Sequence, residues 1–170
     1  MRRSFTILII LALCLLLATT AGAQQDPNAF PFTNTTDPAS LIGAYYNAIS
    51  LHDYGRAYSY WETPPNNQSL AQFTAGFSDT LSAVALVTVP YLTDAGAGNV
   101  FASLPTVVIA QRTNGTQVYY AGCFVTHKVN VPVGNATEPS PNWSIRSGHL
   151  VQAASAYAAL TSMATVCQNI

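Results

Sequence analysis

Charge is scarce in this chain of 170 residues, where Asp, Glu, Lys and Arg together make up 8%. Of six basic residues, two are Arg2 and Arg3, which leaves Arg56, Arg112, Lys128 and Arg146 against seven acidic side chains. No basic patch can be assembled from so few cations, so no nucleic acid is expected as a partner. The sequence also lacks a glycine-flanked nucleophilic serine, an HExxH pair, a CxxC pair and a phosphate loop, which removes the common hydrolase, zinc-protease, thiol-redox and nucleotide chemistries. His52, His127 and His149 stand at none of the short separations that bind zinc. Neither a metal nor a cofactor is expected.

Arg2 and Arg3 precede an unbroken apolar run from Ile7 to Ala18, followed by small residues through Ala21-Gly22-Ala23. That is the pattern of a secretory signal peptide, residues 1–23, cleaved after Ala23. The run is shorter than the roughly 20 residues needed to span a bilayer, so no transmembrane segment is expected after cleavage and the protein is read as secreted or extracytoplasmic. The bulky Leu13 before Cys14 does not fit a lipid-anchoring site.

Residues 24–170 suit a single domain and retain two cysteines, Cys123 and Cys167. In an oxidising compartment such a pair is expected to form a disulfide, with a stabilisation of about 4 kcal/mol for a loop of this length. A reactive thiol helped by nearby Lys128 or His127 is the competing reading.

Residues 24–36 mix Pro, Asn, Thr and Gln without apolar period and read as a linker. Asp37-Pro38 supplies an N-cap and a first-turn proline. Leu41, Ile42, Tyr45 and Ile49 then recur at helical spacing. Asp53 begins a second helix carrying Tyr54, Ala57, Tyr58 and Trp61 on one face, and two prolines with two asparagines break it at residues 62–67. Ser69 caps a third, short helix presenting Leu70, Phe73 and Phe77. Thereafter the period becomes two, with strands expected over 82–89, 100–112, 117–129 and 143–152. Asn114-Gly115 marks a hairpin; as a two-residue turn it would pair Ile109 with Tyr120 and Thr106 with Cys123. That register puts Val107, Ile109, Val118, Tyr120 and Phe124 on one face, and Val108, Ala110, Tyr119, Ala121, Cys123, Val125 and His127 on the other. Residues 153–170 form a weak helix or coil held to the sheet through Cys123.

The opening helical pair, AYYNAISLHDYGRAYSYW, ahead of a curved antiparallel sheet, resembles the nuclear transport factor two-like superfamily, which includes ketosteroid isomerase and the SnoaL-type cyclases. The stretches SLAQFTAGFSDT and GCFVTHKVNVP look like those of bacterial secreted or lipid-anchored proteins of undefined function. The resemblance covers residues 37–152. It implies an α+β fold of the cystatin-like cone type in one domain, N-terminal helices packed on a curved antiparallel sheet, with a cavity at the wide end. Enzymes of the superfamily place a carboxylate base and a hydrogen-bond donor in that cavity, but fold does not carry activity.

Asp53, Glu62 and Asp79 each fall at an element boundary, where capping is the usual role, so no catalytic residue is assigned. Tyr45, Tyr58 and Trp61 are candidate pocket-lining residues, with the competing reading that they are core. Tyr119 and His127 share a strand face and are candidates to reach the cone interior. Five Asn-X-Ser/Thr sequons begin at Asn34, Asn67, Asn114, Asn135 and Asn142; this composition creates such triplets by chance, and glycosylation is not expected. Three functional readings follow: a non-catalytic binding module for a small apolar ligand or a protein partner, an isomerase- or cyclase-like enzyme using a cavity acid or His127 as base, and a structural domain that forms homodimers.

Overall fold

The computed structural model describes residues 31–130 and 140–168. The segment read as a signal peptide, and the linker up to residue 30, lie outside the described residues. Helix α1 spans Pro38–Ser50, and the Asp37 side chain accepts from the Ser40 N–H at 2.8 Å. Helix α2, Tyr54–Ser59, begins in the same way at Asp53, which accepts from Arg56 N–H. A single 3₁₀ turn at Pro65–Asn67 leads to α3, Leu70–Ala75. There Ser69 and Gln72 form a reciprocal capping box that satisfies two orphan N–H groups. Phe73 is buried, but Leu70, expected on the buried face, stands 43% exposed. The helix has too few turns to wrap around its neighbours, so only one of its apolar residues reaches the core.

Five antiparallel strands follow: β1 Thr80–Val87, β2 Leu92–Gly96, β3 Asn99–Arg112, β4 Gln117–Val129 and β5 Ser144–Ala153. The fold is therefore α+β with a curved sheet, in the order β1-β3-β4-β5, and β2 also pairs with β3. The long strand β3 thus serves two partners along one side, β2 against Asn99–Ser103 and β1 against Thr106–Arg112. Pro105 sits where one partner gives way to the other, and its carbonyl accepts from Thr88 N–H at 3.1 Å. Its missing N–H consequently falls at a break in the ladder, where proline is tolerated inside a sheet. Strand β2 was not anticipated: all five of its residues are exposed, so it carries no hydrophobic alternation.

The hairpin between β3 and β4 differs from expectation by one residue. Ile109 pairs with Tyr119, and Cys123 with Pro105. Arg112 N–H donates to Thr116 O and Gly115 N–H to Arg112 O, which leaves a three-residue loop of Thr113, Asn114 and Gly115. A two-residue turn of the Asn-Gly kind needs positive φ at both residues. Only Gly115 has it, at 85°. One added loop residue changes the pairing parity, so Val108 and Ala110, not Val107 and Ile109, share a face with Val118, Tyr120 and Phe124.

That face wraps α1, which is buried almost all round, with Leu41, Ile42, Ala44, Ala48 and Ile49 fully enclosed. On the other face a short helix α4, Ala156–Ser162, lays Ala159 against Val107 and Ala121. Cys123 and Cys167 are disulfide-bonded with Cα atoms 5.2 Å apart, which ties the segment after α4 to β4.

Each outer edge of the sheet is engaged at one residue. The Ser50 hydroxyl donates to Ala83 O at 2.8 Å and accepts from Ala83 N–H at 2.9 Å, which occupies one outward backbone pair of β1. At the opposite edge Ile145 of β5 donates to Tyr60 O and accepts from Glu62 N–H. The last residues read as linker also lie on the domain: Phe32 N–H donates to the buried Asn47 side chain at 2.8 Å, and Thr35 O accepts from Trp143 N–H at 2.7 Å.

Candidate functional site

A cavity of about 330 Å³ opens between the helices and the concave sheet face, near the lower end of the range that holds small ligands. Its floor is aromatic because α1 presents two consecutive tyrosines toward it. Tyr45 sits among Tyr46, Trp61 and Phe124, with ring centroids 4.8, 5.9 and 6.3 Å away, mostly edge to face. Trp61 reaches this place because Tyr60–Glu62 is fastened along β5.

Burial pushes the Tyr45 phenol above its ordinary range. It pushes Tyr46 well above, helped by the neighbouring Tyr45 and Tyr120 oxygens. Desolvation disfavours phenolate, so both remain hydrogen-bond donors at physiological pH. The Tyr46 hydroxyl makes no hydrogen bond to any described residue. The Trp61 indole is near enough to the Tyr45 oxygen to oppose the rise of that phenol, but it lies outside hydrogen-bond geometry and its N–H is buried without a partner among the described residues. Such groups are uncommon in native interiors and call for an explanation.

At the rim, Asp79 and Arg112 form a close ion pair, and Arg112 Nη2 donates to the Tyr120 hydroxyl at 3.3 Å. The Asp79 carboxylate is half exposed, with 53% of its side chain open to solvent. Among the described residues it is the one acidic side chain in the cavity wall.

Of the residues singled out in the sequence, Tyr45 and Trp61 line the cavity. Tyr58 does not; its hydroxyl donates to Gln68 O at 2.9 Å and its ring packs on Phe73, so it fastens the 63–68 loop. Tyr119 and His127 lie on the opposite sheet face and cannot reach the interior. The Tyr119 hydroxyl donates to Gln117 Oε1, while His127 Nδ1 meets the Glu62 carboxylate and its ring stacks on Phe101 at 4.7 Å. The parity change at the hairpin explains only part of the error. Tyr119 and His127 do share a face, but it is the outer one, because α1 packs on the even-numbered residues of β4. Sequence reasoning missed Tyr46, Tyr120 and Arg112. Tyr46 lies off the helical stripe that Tyr45 belongs to, and Tyr120 and Arg112 meet only through the observed register.

No family model matches this chain, and no curated protein matches it. Among solved structures it is similar to a nuclear transport factor 2 (NTF2-like) superfamily protein from Salmonella enterica serovar Typhimurium, with a TM-score of 0.46 and 14% identity over 68% of this chain and 88% of that one. It is likewise similar to the Kfla4162 protein from Kribbella flavida, with a TM-score of 0.47 and 12% identity over 67% of this chain and 86% of the other. The first bears the superfamily name that the opening helical pair resembles.

Proposed function

We propose that the protein is an extracytoplasmic binding module whose cavity takes a small, largely apolar ligand carrying one hydrogen-bond acceptor. The observation that carries this reading is the Tyr46 hydroxyl, a protonated donor without a described partner, set in an aromatic wall of a cavity of about 330 Å³. A ligand acceptor would take the place of solvent on that hydroxyl, and in the same wall the Trp61 N–H is buried without a partner among the described residues, at a cost of about 1–3 kcal/mol. The isomerase-like alternative needs a desolvated base beside a donor. Asp79 is half exposed and paired with Arg112, and His127 faces away from the cavity, so neither supplies one. Export rests on the N-terminal pattern of Arg2, Arg3 and the apolar run that follows.

Native mass spectrometry of the protein purified from its own host tests the binding reading. A co-purified small-molecule mass, lost in Tyr46→Phe, is the expected result. Absence of any bound mass, together with no heat on titration of 1-octanol as an apolar probe with one hydroxyl, would overturn it. The intact mass of the recovered protein tests export at the same time, since cleavage after Ala23 leaves Gln24 as the first residue.

A further inference from the structure

A second hollow of about 440 Å³ lies against the first. Trp61, Pro65 and Gly148 line both. Beside β5 the Phe124 and Trp61 rings take the place of a side chain at Gly148, where a Cβ would stand 2.5 Å from the first ring and 3.3 Å from the second, so the two hollows meet along the edge of Trp61 and Pro65. The two hollows differ in chemistry. The first is aromatic and aliphatic, whereas the second is walled by Asn66, Asn67, Ser147, Arg146 and His149.

The loop that forms the second hollow is held in an unusual shape. Asn66 and Asn67 both have positive φ, at 54° and 53°, a region that asparagine visits more readily than other side-chain-bearing residues. The loop is fastened at its base, since Asn67 N–H donates to Pro64 O, Gln68 N–H to Pro65 O, and the Tyr58 hydroxyl to Gln68 O. Neither asparagine amide hydrogen-bonds to a described residue through its side chain. Each amide offers two donors and an acceptor. The cation beside them is neutralised: Arg146 Nη1 lies 3.5 Å from the Glu62 carboxylate, and its guanidinium is 5.4 Å from the Phe101 ring centroid. A groove rich in neutral donors and acceptors, with its fixed charge compensated, suits hydroxyl groups better than a phosphate or carboxylate.

We infer that the ligand is amphipathic, with an apolar part in the aromatic cavity and an uncharged, hydroxyl-rich head group in the groove between the 63–67 loop and β5. This rests on the binding reading above and adds the chemical class of the head group. Trp61 would stand at the junction, with its ring shared by both parts of the ligand.

Titration calorimetry with octyl β-glucoside below its micelle concentration, 1-octanol and glucose separates the two readings. The expected result is glucoside binding at least tenfold tighter than octanol, and a ratio near one in the double variant Asn66→Gly, Asn67→Gly. Glycine adopts positive φ without cost, so the loop keeps its shape while losing both amides; circular dichroism and thermal unfolding confirm that the variant is folded. Octanol and octyl glucoside binding equally to the wild type would overturn the head-group inference and leave the apolar cavity reading standing. The same holds for a preference for the glucoside that survives in the double variant. No binding of either alkyl compound would overturn both.

Discussion

The hydroxyl of Tyr91, at the entrance to β2, donates to Asp37 Oδ2 at 3.0 Å, so the residue that caps α1 also anchors the start of a strand 54 residues later. Burial works to raise the Asp37 pKa, but hydrogen bonds from Ser40, Tyr91 and the Ala39 backbone outweigh it and hold the carboxyl below its ordinary value of 3.8. A carboxyl with a lower pKa folded than unfolded stabilises the protein above the unfolded value, and that contribution is lost as pH falls through the folded one.

Acidification from pH 6 to pH 3 is therefore expected to lower the urea midpoint of the wild type more than that of Asp37→Asn, which keeps a capping oxygen but does not titrate. Equal losses in the two proteins would remove Asp37 from the acid response.

Reduction of the Cys123–Cys167 bond reopens a loop whose ends are 44 residues apart. The chain-entropy model gives a loss of about 4 kcal/mol. The measurement is thermal unfolding with and without reductant, and Cys167→Ser is expected to match the reduced protein. Because α4 buries little beyond Ala159, the reduced protein is also expected to bind more of a dye sensitive to apolar surface, as Val107 and Ala121 lose their cover. Non-reducing peptide mapping that found both thiols free would contradict the bond itself.

Ser50→Ala strips both partners from the outward backbone groups of Ala83. The expected cost is about 1–2 kcal/mol, since a partly buried N–H and C=O are left unpaired. Ser50→Gly costs helix propensity without restoring the bonds, so it is expected to be no better. Urea denaturation of the two variants beside wild type measures both.

Gly115→Ala places a side chain at a φ of 85°. The predicted destabilisation is about 1 kcal/mol or more, read as a fall in melting temperature. Asn114→Ala, at a position without positive φ, gives up only exposed bonds from the Thr116 N–H and hydroxyl and is expected to cost less; a Gly115→Ala variant as stable as the wild type would remove the left-handed requirement at residue 115.

What was legible in the sequence was local. Asp37, Asp53 and Ser69 announce their helices because a cap depends on residues two or three positions away. The disulfide was legible from counting, since the proposed signal segment takes the third cysteine. The hairpin was legible but its register was not. The pair Asn114-Gly115 fits a two- or a three-residue loop, and the choice rests on φ at a single residue. The candidate site inherits that ambiguity. Tyr120 and Arg112 meet only when β3 and β4 pair as observed, and Tyr46 is hidden by its own helix: α1 is enclosed on so many sides that an apolar stripe cannot say which residues face a cavity. Glu62 and His127, 65 residues apart, meet on the outer face because a segment after α2 crosses to β5, a crossing without local signature.

The two sheet edges bear on how molecules of this protein meet one another. With 8% charged residues, mutual electrostatic repulsion is weak, and colloidal stability at high concentration cannot depend on it. Strand β1 itself, TLSAVALV, carries no charge and no proline to discourage a neighbouring chain. Each edge is blocked at one point: the Ser50 hydroxyl occupies one open backbone pair of β1, and Tyr60–Glu62 occupies the equivalent place on β5. A hydrogen-bonded backbone pair, unlike a surface charge, is not screened by salt, so the block at these two points on β1 and β5 holds at any ionic strength.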